Sequence, residues 1–427
     1  MESCRNQGAG WNWGLFLSWA ALAGLSPVAL VAQSPKPISE TALQLHRSAL
    51  VFDGHNNLVR AVLKSKDHDP ATIDLNRFQA GLHTDLPRLR QGGLGAEYFA
   101  TYVSPESVKK GNAVRETLEQ IEAIKQLLRR YPESWEFAGS SQDVLRLRGE
   151  GRLAGLIAIE NGEAVDGSLA VLRTYYQAGV RCLAVTHDDT HGWADAALDK
   201  SKHDGLSKFG EQVVAEANRL GIVLDLAHAA ESTIRDTLSI SSAPVLFSHT
   251  GAHELAPHPR NLSDDILRLV AQNGGVVQVN FFAGFLTKQT VKSYQDRSKA
   301  AHELRKSFKT EEQYRLALQQ WLKEHPLPPT TVADVVDHID HIVAVAGIDH
   351  VGLGSNFDGI VSIPKELEDV SCFPRITQEL LDRGYISEQI LKILGQNTLR
   401  VLREVERVAS RSGAPDSPIA SAQRVDQ

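Results

Sequence analysis

Four apolar, strand-like runs far apart in this chain each end in a residue able to bind a metal: VFDGHNN at His55, LIAIE at Glu160, IVLDLAH at His228 and VLFSH at His249. A local site such as a zinc finger needs its ligands a few residues apart. Here the first and last are nearly two hundred residues apart, and they meet only if the strands that carry them lie side by side in one sheet. Each histidine alone is compatible with a satisfied core residue. Taken together at separate strand ends they predict a metal centre, and Glu160 would be costly to bury without a cation nearby.

The wider pattern supplies such a sheet. Candidate strands fall near 49–53, 96–102, 155–160, 181–186, 222–228, 244–249, 275–281 and 350–356. Between them lie windows with apolar residues at helical spacing, among them VRETLEQIEAIKQLLRRY, SLAVLRTYYQAG, KFGEQVVAEANRLG and DDILRLVAQNGG, several closing on a glycine. Strand and helix alternating eight times predict an α/β fold, a (β/α)8 TIM-type barrel. In that fold the active site sits at the C-terminal ends of the strands, where His55, Glu160, His187, His228, His249 and Asn356 all fall. A charged, helix-prone stretch at about 287–329 interrupts the rhythm and predicts a helical insertion near the barrel mouth.

At 427 residues and 42% hydrophobic, the chain has enough material for one large core, so residues 35–408 are expected to form a single domain. The net charge of −7 gives no basic surface for nucleic acid or an anionic membrane, and a small-molecule partner is the natural expectation. Residues 1–34 carry one arginine, then an apolar run from about Trp13 to Ala32, then polar QSPKP, the pattern of a secretory signal peptide or an uncleaved N-terminal anchor. Either one predicts a periplasmic or secreted domain, with membrane contact only through an uncleaved N-terminus. Cys4 would leave with the signal, Cys182 lies in a core run and Cys372 near the surface, so a disulfide framework is not expected. The tail 409–427 is polar and reads as disordered.

From about Leu45 to Val405 the chain resembles the membrane dipeptidase (renal dipeptidase-like) zinc peptidases, metallo-dependent hydrolases. The resemblance rests on DGHNNL, the Glu160 strand, LAVTHDDTHGWAD, LSKFGEQVVAEANRLGIVLDLAH, PVLFSH, RNLSDDILRLV with VVQVNF, and VADVVDHIDHIVAVAGIDHVGLGSNFDG, all in the family's order. It implies a zinc-dependent dipeptidase, commonly dimeric. By that resemblance His55, residue 57 and Glu160 bind one zinc, while Glu160, His228 and His249 bind another. It also makes His187 the residue that positions substrate and Arg260 the clamp on the terminal carboxylate.

Two positions depart from the family. Asn57 stands where an H-x-D pair has its carboxylate, and a neutral amide is a poor zinc ligand, so one firmly held Zn2+ is expected and a second only loosely. Asn356 stands where the family has the Asp that takes a proton from the attacking water and passes it to the leaving amine, which an amide cannot do. Asp358, two residues on, would point to the same side in an extended segment and substitute for it. The alternatives are an impaired relative that binds a dipeptide or cell-wall fragment without cleaving it, and a hydrolase of a related amide.

Overall fold

The computed structural model describes residues 37–64, 70 and 72–412. The expected leader or anchor and the tail from 413 onward lie outside the described residues, while residues 409–411 continue the last helix, Asn397–Arg411. Nine strands form: β1 Val51–Asn56, β2 Leu94–Tyr102, β3 Trp135–Phe137, β4 Leu153–Glu160, β5 Val180–Ala184, β6 Val223–Asp225, β7 Leu246–Thr250, β8 Val276–Asn280 and β9 Val351–Gly354. Eight of them hydrogen-bond in the order β1, β2, β4, β5, β6, β7, β8, β9 and back to β1, all parallel, closing a (β/α)8 barrel. Every expected strand is present. The ninth, β3, is a three-residue piece on the N-terminal end of β4, running from Trp135 opposite Leu153 to Phe137 opposite Gly155.

The strands read as nearly unbroken apolar runs because helices cover them outside and neighbours crowd them inside. All residues of β1, β4, β5, β7, β8 and β9 are buried. Two seams of the barrel have little backbone pairing: β6 meets β7 only at Asp225 opposite Leu246, and β1 meets β9 only at Asp53 opposite Leu353. A buried carboxylate reinforces each. Asp225 accepts from Ser248 N at 2.9 Å and from Ser248 Oγ at 2.6 Å, and Asp53 accepts from Ser355 N at 2.7 Å and from Ser355 Oγ. Ser248 precedes His249 and Ser355 precedes Asn356, so the bonds that hold these seams also set the residues that matter at the rim.

Gly354 ends β9 where a Cβ would overlap the Ser248 carbonyl oxygen of β7. Neither backbone can retreat without opening the barrel. Gly354→Ala is therefore expected to destabilise the fold by roughly 1–3 kcal/mol or more, read as a lower midpoint in thermal or denaturant unfolding; an unchanged midpoint would contradict this packing.

The helical insertion forms as two helices, Lys288–Ser307 and Glu311–Glu324, joined through Arg305, which pairs with Glu311 at 3.1 Å and stacks over Tyr314. Its outer helix buries no residue. The inner helix touches the barrel mouth through Tyr294, whose ring packs on Phe282 at 5.2 Å and on His258 at 6.0 Å. His338, on the VVDHIDHIV helix, is fully buried, with Nδ1 accepting from Ala252 N at 2.8 Å and Nε2 donating to the Leu286 carbonyl at 2.9 Å.

Candidate metal centre

The sequence-selected residues converge at the C-terminal rim. His55 sits in β1, Glu160 ends β4, His228 lies just beyond β6, His249 is within β7, and His187 follows β5. Glu160 Oε1 is their common neighbour, 3.5 Å from His55 Nε2, 3.5 Å from His228 Nε2, 3.7 Å from His187 Nε2 and 3.9 Å from His249 Nε2. Burial opposes ionisation of Glu160, yet the surrounding imidazoles hold it well below the usual carboxylate range. His249 is held well below the usual imidazole value by burial and by its neighbours His55 and His228. His187 falls to about 4 through burial and the charge of His228.

The protons around His228 and His249 decide what this cluster can hold. Ser248 has one hydroxyl proton and gives it to Asp225, so it can only accept from His249 Nδ1, 2.7 Å away. His228 Nδ1 lies 2.9 Å from Asp188 Oδ1, and although burial opposes it, the bond to His228 helps hold Asp188 well below the usual carboxylate range. An ionised carboxylate only accepts, so His228 Nδ1 also carries its proton. With both rings neutral the two Nε2 atoms are lone pairs, and they face each other at 2.9 Å. Beside them Glu160 Oε2 is buried with no hydrogen-bond partner among the described residues. Two lone pairs and an anion converging without a proton between them fit a cation, and Glu160, His228 and His249 form a three-ligand group of that kind.

At the second expected position the chemistry differs. Asn57 Nδ2 donates to His55 Nε2 at 2.9 Å and to Asn356 Oδ1 at 3.3 Å, while Asn57 Oδ1 is buried without a partner. The two departures from the family pattern are thus hydrogen-bonded to each other, and the Asn57 amide lies against the His55 Nε2 that a metal would use. Burial opposes protonation of His55, but the Glu160 carboxylate raises it above the ordinary imidazole value.

Arg260 is buried, its Nε donating to the Ala227 carbonyl at 2.8 Å and its Nη2 to the His249 carbonyl at 3.3 Å, which leaves Nη1 facing Asp188 Oδ1 at 4.0 Å. The expectation for Asp358 is corrected. The backbone is turned there, not extended, with φ of 59° at Asn356 and 61° at Asp358. The Asp358 carboxylate accepts from His83 N at 2.6 Å, and burial raises its pKa while the bonds from His83 and Thr84 and the charges of His83 and Arg88 oppose the rise.

A profile of the membrane dipeptidase family, peptidase family M19, matches residues 39–416. The chain belongs to that family. It is therefore a metallodipeptidase by descent, a hydrolase of peptide bonds. Among solved structures it is similar to the probable dipeptidase PvdM from Pseudomonas aeruginosa, at 25% identity and a TM-score of 0.74, covering 88% of this chain and 100% of that one. It is also similar to a metallopeptidase from Rhodobacter sphaeroides liganded with a phosphinate mimic of the dipeptide L-Ala-D-Ala, at 23% identity and a TM-score of 0.69, covering 84% and 99%. An amidohydrolase from Pseudomonas aeruginosa matches at 23% identity with a TM-score of 0.66, covering 85% and 98%.

Sequence reasoning missed Asp188 in this dipeptidase site. An acid adjoining a site histidine was the available signal. Because Asp188 fixes the His228 tautomer, Asp188→Asn is expected to weaken metal affinity by about 10–100-fold. A competition titration against a chelator of known affinity measures this, and unchanged affinity would remove the orienting role.

Proposed function

We propose that this chain is a zinc dipeptidase with one firmly held metal ion, exported through its apolar N-terminus, and slow at proton transfer because of Asn356. The observation that carries the reading is the convergence of the Nε2 atoms of His228 and His249, 2.9 Å apart, beside the unpartnered Glu160 oxygen. Glu160, His228 and His249 would hold the ion, and zinc there would supply the Lewis acidity that activates water and polarises the scissile carbonyl. Arg260 is held rigidly by two carbonyl oxygens, which leaves Nη1, facing Asp188, to grip a substrate's terminal carboxylate. His187, neutral and 18% exposed at its side chain, can donate one hydrogen bond to the oxygen on which charge develops. Residue 356 is the one place where the proton-handling group is an amide.

A second reading, binding of a dipeptide without cleavage, is favoured by the Asn57 to Asn356 hydrogen bond, which ties both departures into one uncharged patch. The distinguishing experiment is hydrolysis of a panel of L,L- and L,D-dipeptides by the zinc-reconstituted protein, with His228→Ala as the control for contaminating activity. The L,D members follow from the L-Ala-D-Ala mimic bound by the Rhodobacter sphaeroides relative. Cleavage lost in His228→Ala supports the enzyme. Tight binding of a phosphinate dipeptide mimic with no cleavage of any member supports the second reading.

A further inference from the structure

The helix Leu58–Lys64 follows β1 directly, so its first turn stands at the same rim as His55 and Asn57. On it, Arg60 lays its guanidinium over the Tyr102 ring, 3.8 Å from the centroid. Tyr102 ends β2 in register with Glu160 at the end of β4, and its ring meets that of His187 edge-on at 4.8 Å. Arg60, Tyr102 and His187 thus form a row leading outward from the metal cluster. In the closed order of the eight barrel strands β2 lies four places from β7, diametrically across the mouth from the strand that leads to Arg260. A dipeptide with its terminal carboxylate on Arg260 and its scissile bond at Glu160 and His187 points its acyl-side residue toward Arg60.

Arg60 is short of partners. Its Nε is buried without a hydrogen bond, and among the described residues no carboxylate pairs with it. Lys64, one turn along the same helix face, is pushed down by burial and by the charge of Arg60. The two cations border a cavity of about 310 Å³ that Ser104, Ser107 and Gln120 also line. The acids there are already engaged: Glu116 accepts from Ser107 Oγ at 2.5 Å and Glu119 pairs with Arg115 at 2.9 Å. A desolvated guanidinium stacked on an aromatic ring beside a second cation that pairs with no carboxylate among the described residues regains its lost interactions when an anion arrives.

We infer that Arg60, backed by Tyr102, recognises an anionic group on the acyl-side residue, so the favoured substrates are dipeptides whose first residue carries a carboxylate side chain. This rests on the dipeptidase reading. The test compares near-isosteric pairs, Glu-Ala with Gln-Ala and Asp-Ala with Asn-Ala, as kcat/KM of the zinc-loaded protein, together with competitive binding of phosphinate mimics of the same pairs. The acidic member is expected to be favoured roughly tenfold, the size of a charge-assisted hydrogen bond. Arg60→Gln is expected to bring the ratio near one, and Arg60→Glu to turn it in favour of a lysine-first dipeptide. Equal use of both members by the unaltered chain, or a ratio unmoved by Arg60→Gln, would overturn the inference while leaving the dipeptidase reading intact. Cleavage of no dipeptide, with no phosphinate bound, would remove that reading and this inference with it.

Discussion

Replacing Asn356 with aspartate is expected to raise turnover of dipeptides by roughly 10²–10⁴-fold, the usual contribution of a positioned acid–base group. The substitution changes little else. Residue 356 sits at a φ of 59°, which Asp tolerates about as well as Asn, and its Oδ1 already accepts from Asn57 Nδ2 at 3.3 Å, a bond a carboxylate keeps. What changes is that the side chain can take and return a proton beside His55 and Asn57. The measurement is kcat of the zinc-loaded variant against the parent, with metal content determined on the same samples. A gain at unchanged metal content assigns the deficit to proton transfer. No gain would mean that another group carries the proton, and Asp358, whose carboxylate is already taken by His83 N, is poorly placed to be that group.

The second large effect is expected at Glu160, which among the described residues is the one carboxylate within 4 Å of four imidazoles. Glu160→Gln keeps the shape and removes the charge that draws a cation between His228 and His249. Metal binding should fall below detection in a chelator competition. Loss of metal-assisted stabilisation worth several kcal/mol lowers hydrolysis by roughly 10³-fold or more. Circular dichroism and a melt on the same variant show whether the barrel stays intact, which it should, because both thin seams depend on Asp53 and Asp225. A Glu160→Gln protein that retains zinc and activity would place the metal elsewhere.

Much of this was legible in the sequence because a barrel writes itself there twice, as apolar runs and as the polar residue that ends each run. VFDGHNN, LIAIE, IVLDLAH and VLFSH announce both a buried strand and its rim residue. Features set by contacts between distant segments were not legible. Strand β3 is three residues long, too short for a period, and exists because β4 offers it an edge below β5. His338 looks like a surface residue until the Ala252 amide and the Leu286 carbonyl, each more than fifty residues away, reach its two nitrogens. Asp358 failed for a local reason: the Asp-Gly pair in NFDG is a turn signal, and an extended segment was the wrong premise. Arg60 carried no periodic signal at all, and its place opposite Arg260 follows from strand order around a closed barrel.

The pairing of Asn57 with Asn356 explains how both departures can persist together. Asn57 donates one hydrogen bond to Asn356, and a neutral pair needs no counter-ion, whereas one Asp beside His55 would favour a second cation. The account thus ties metal count to catalysis. The most direct test is a zinc titration of the metal-free chain with dipeptide hydrolysis followed at each addition, run beside Asn57→Asp. Hydrolysis by the unaltered chain should saturate at one equivalent of zinc, and Asn57→Asp should take up a second. A rate that climbs until two equivalents are bound, or zinc that binds without any cleavage, would contradict a one-metal dipeptidase built on Glu160, His228 and His249.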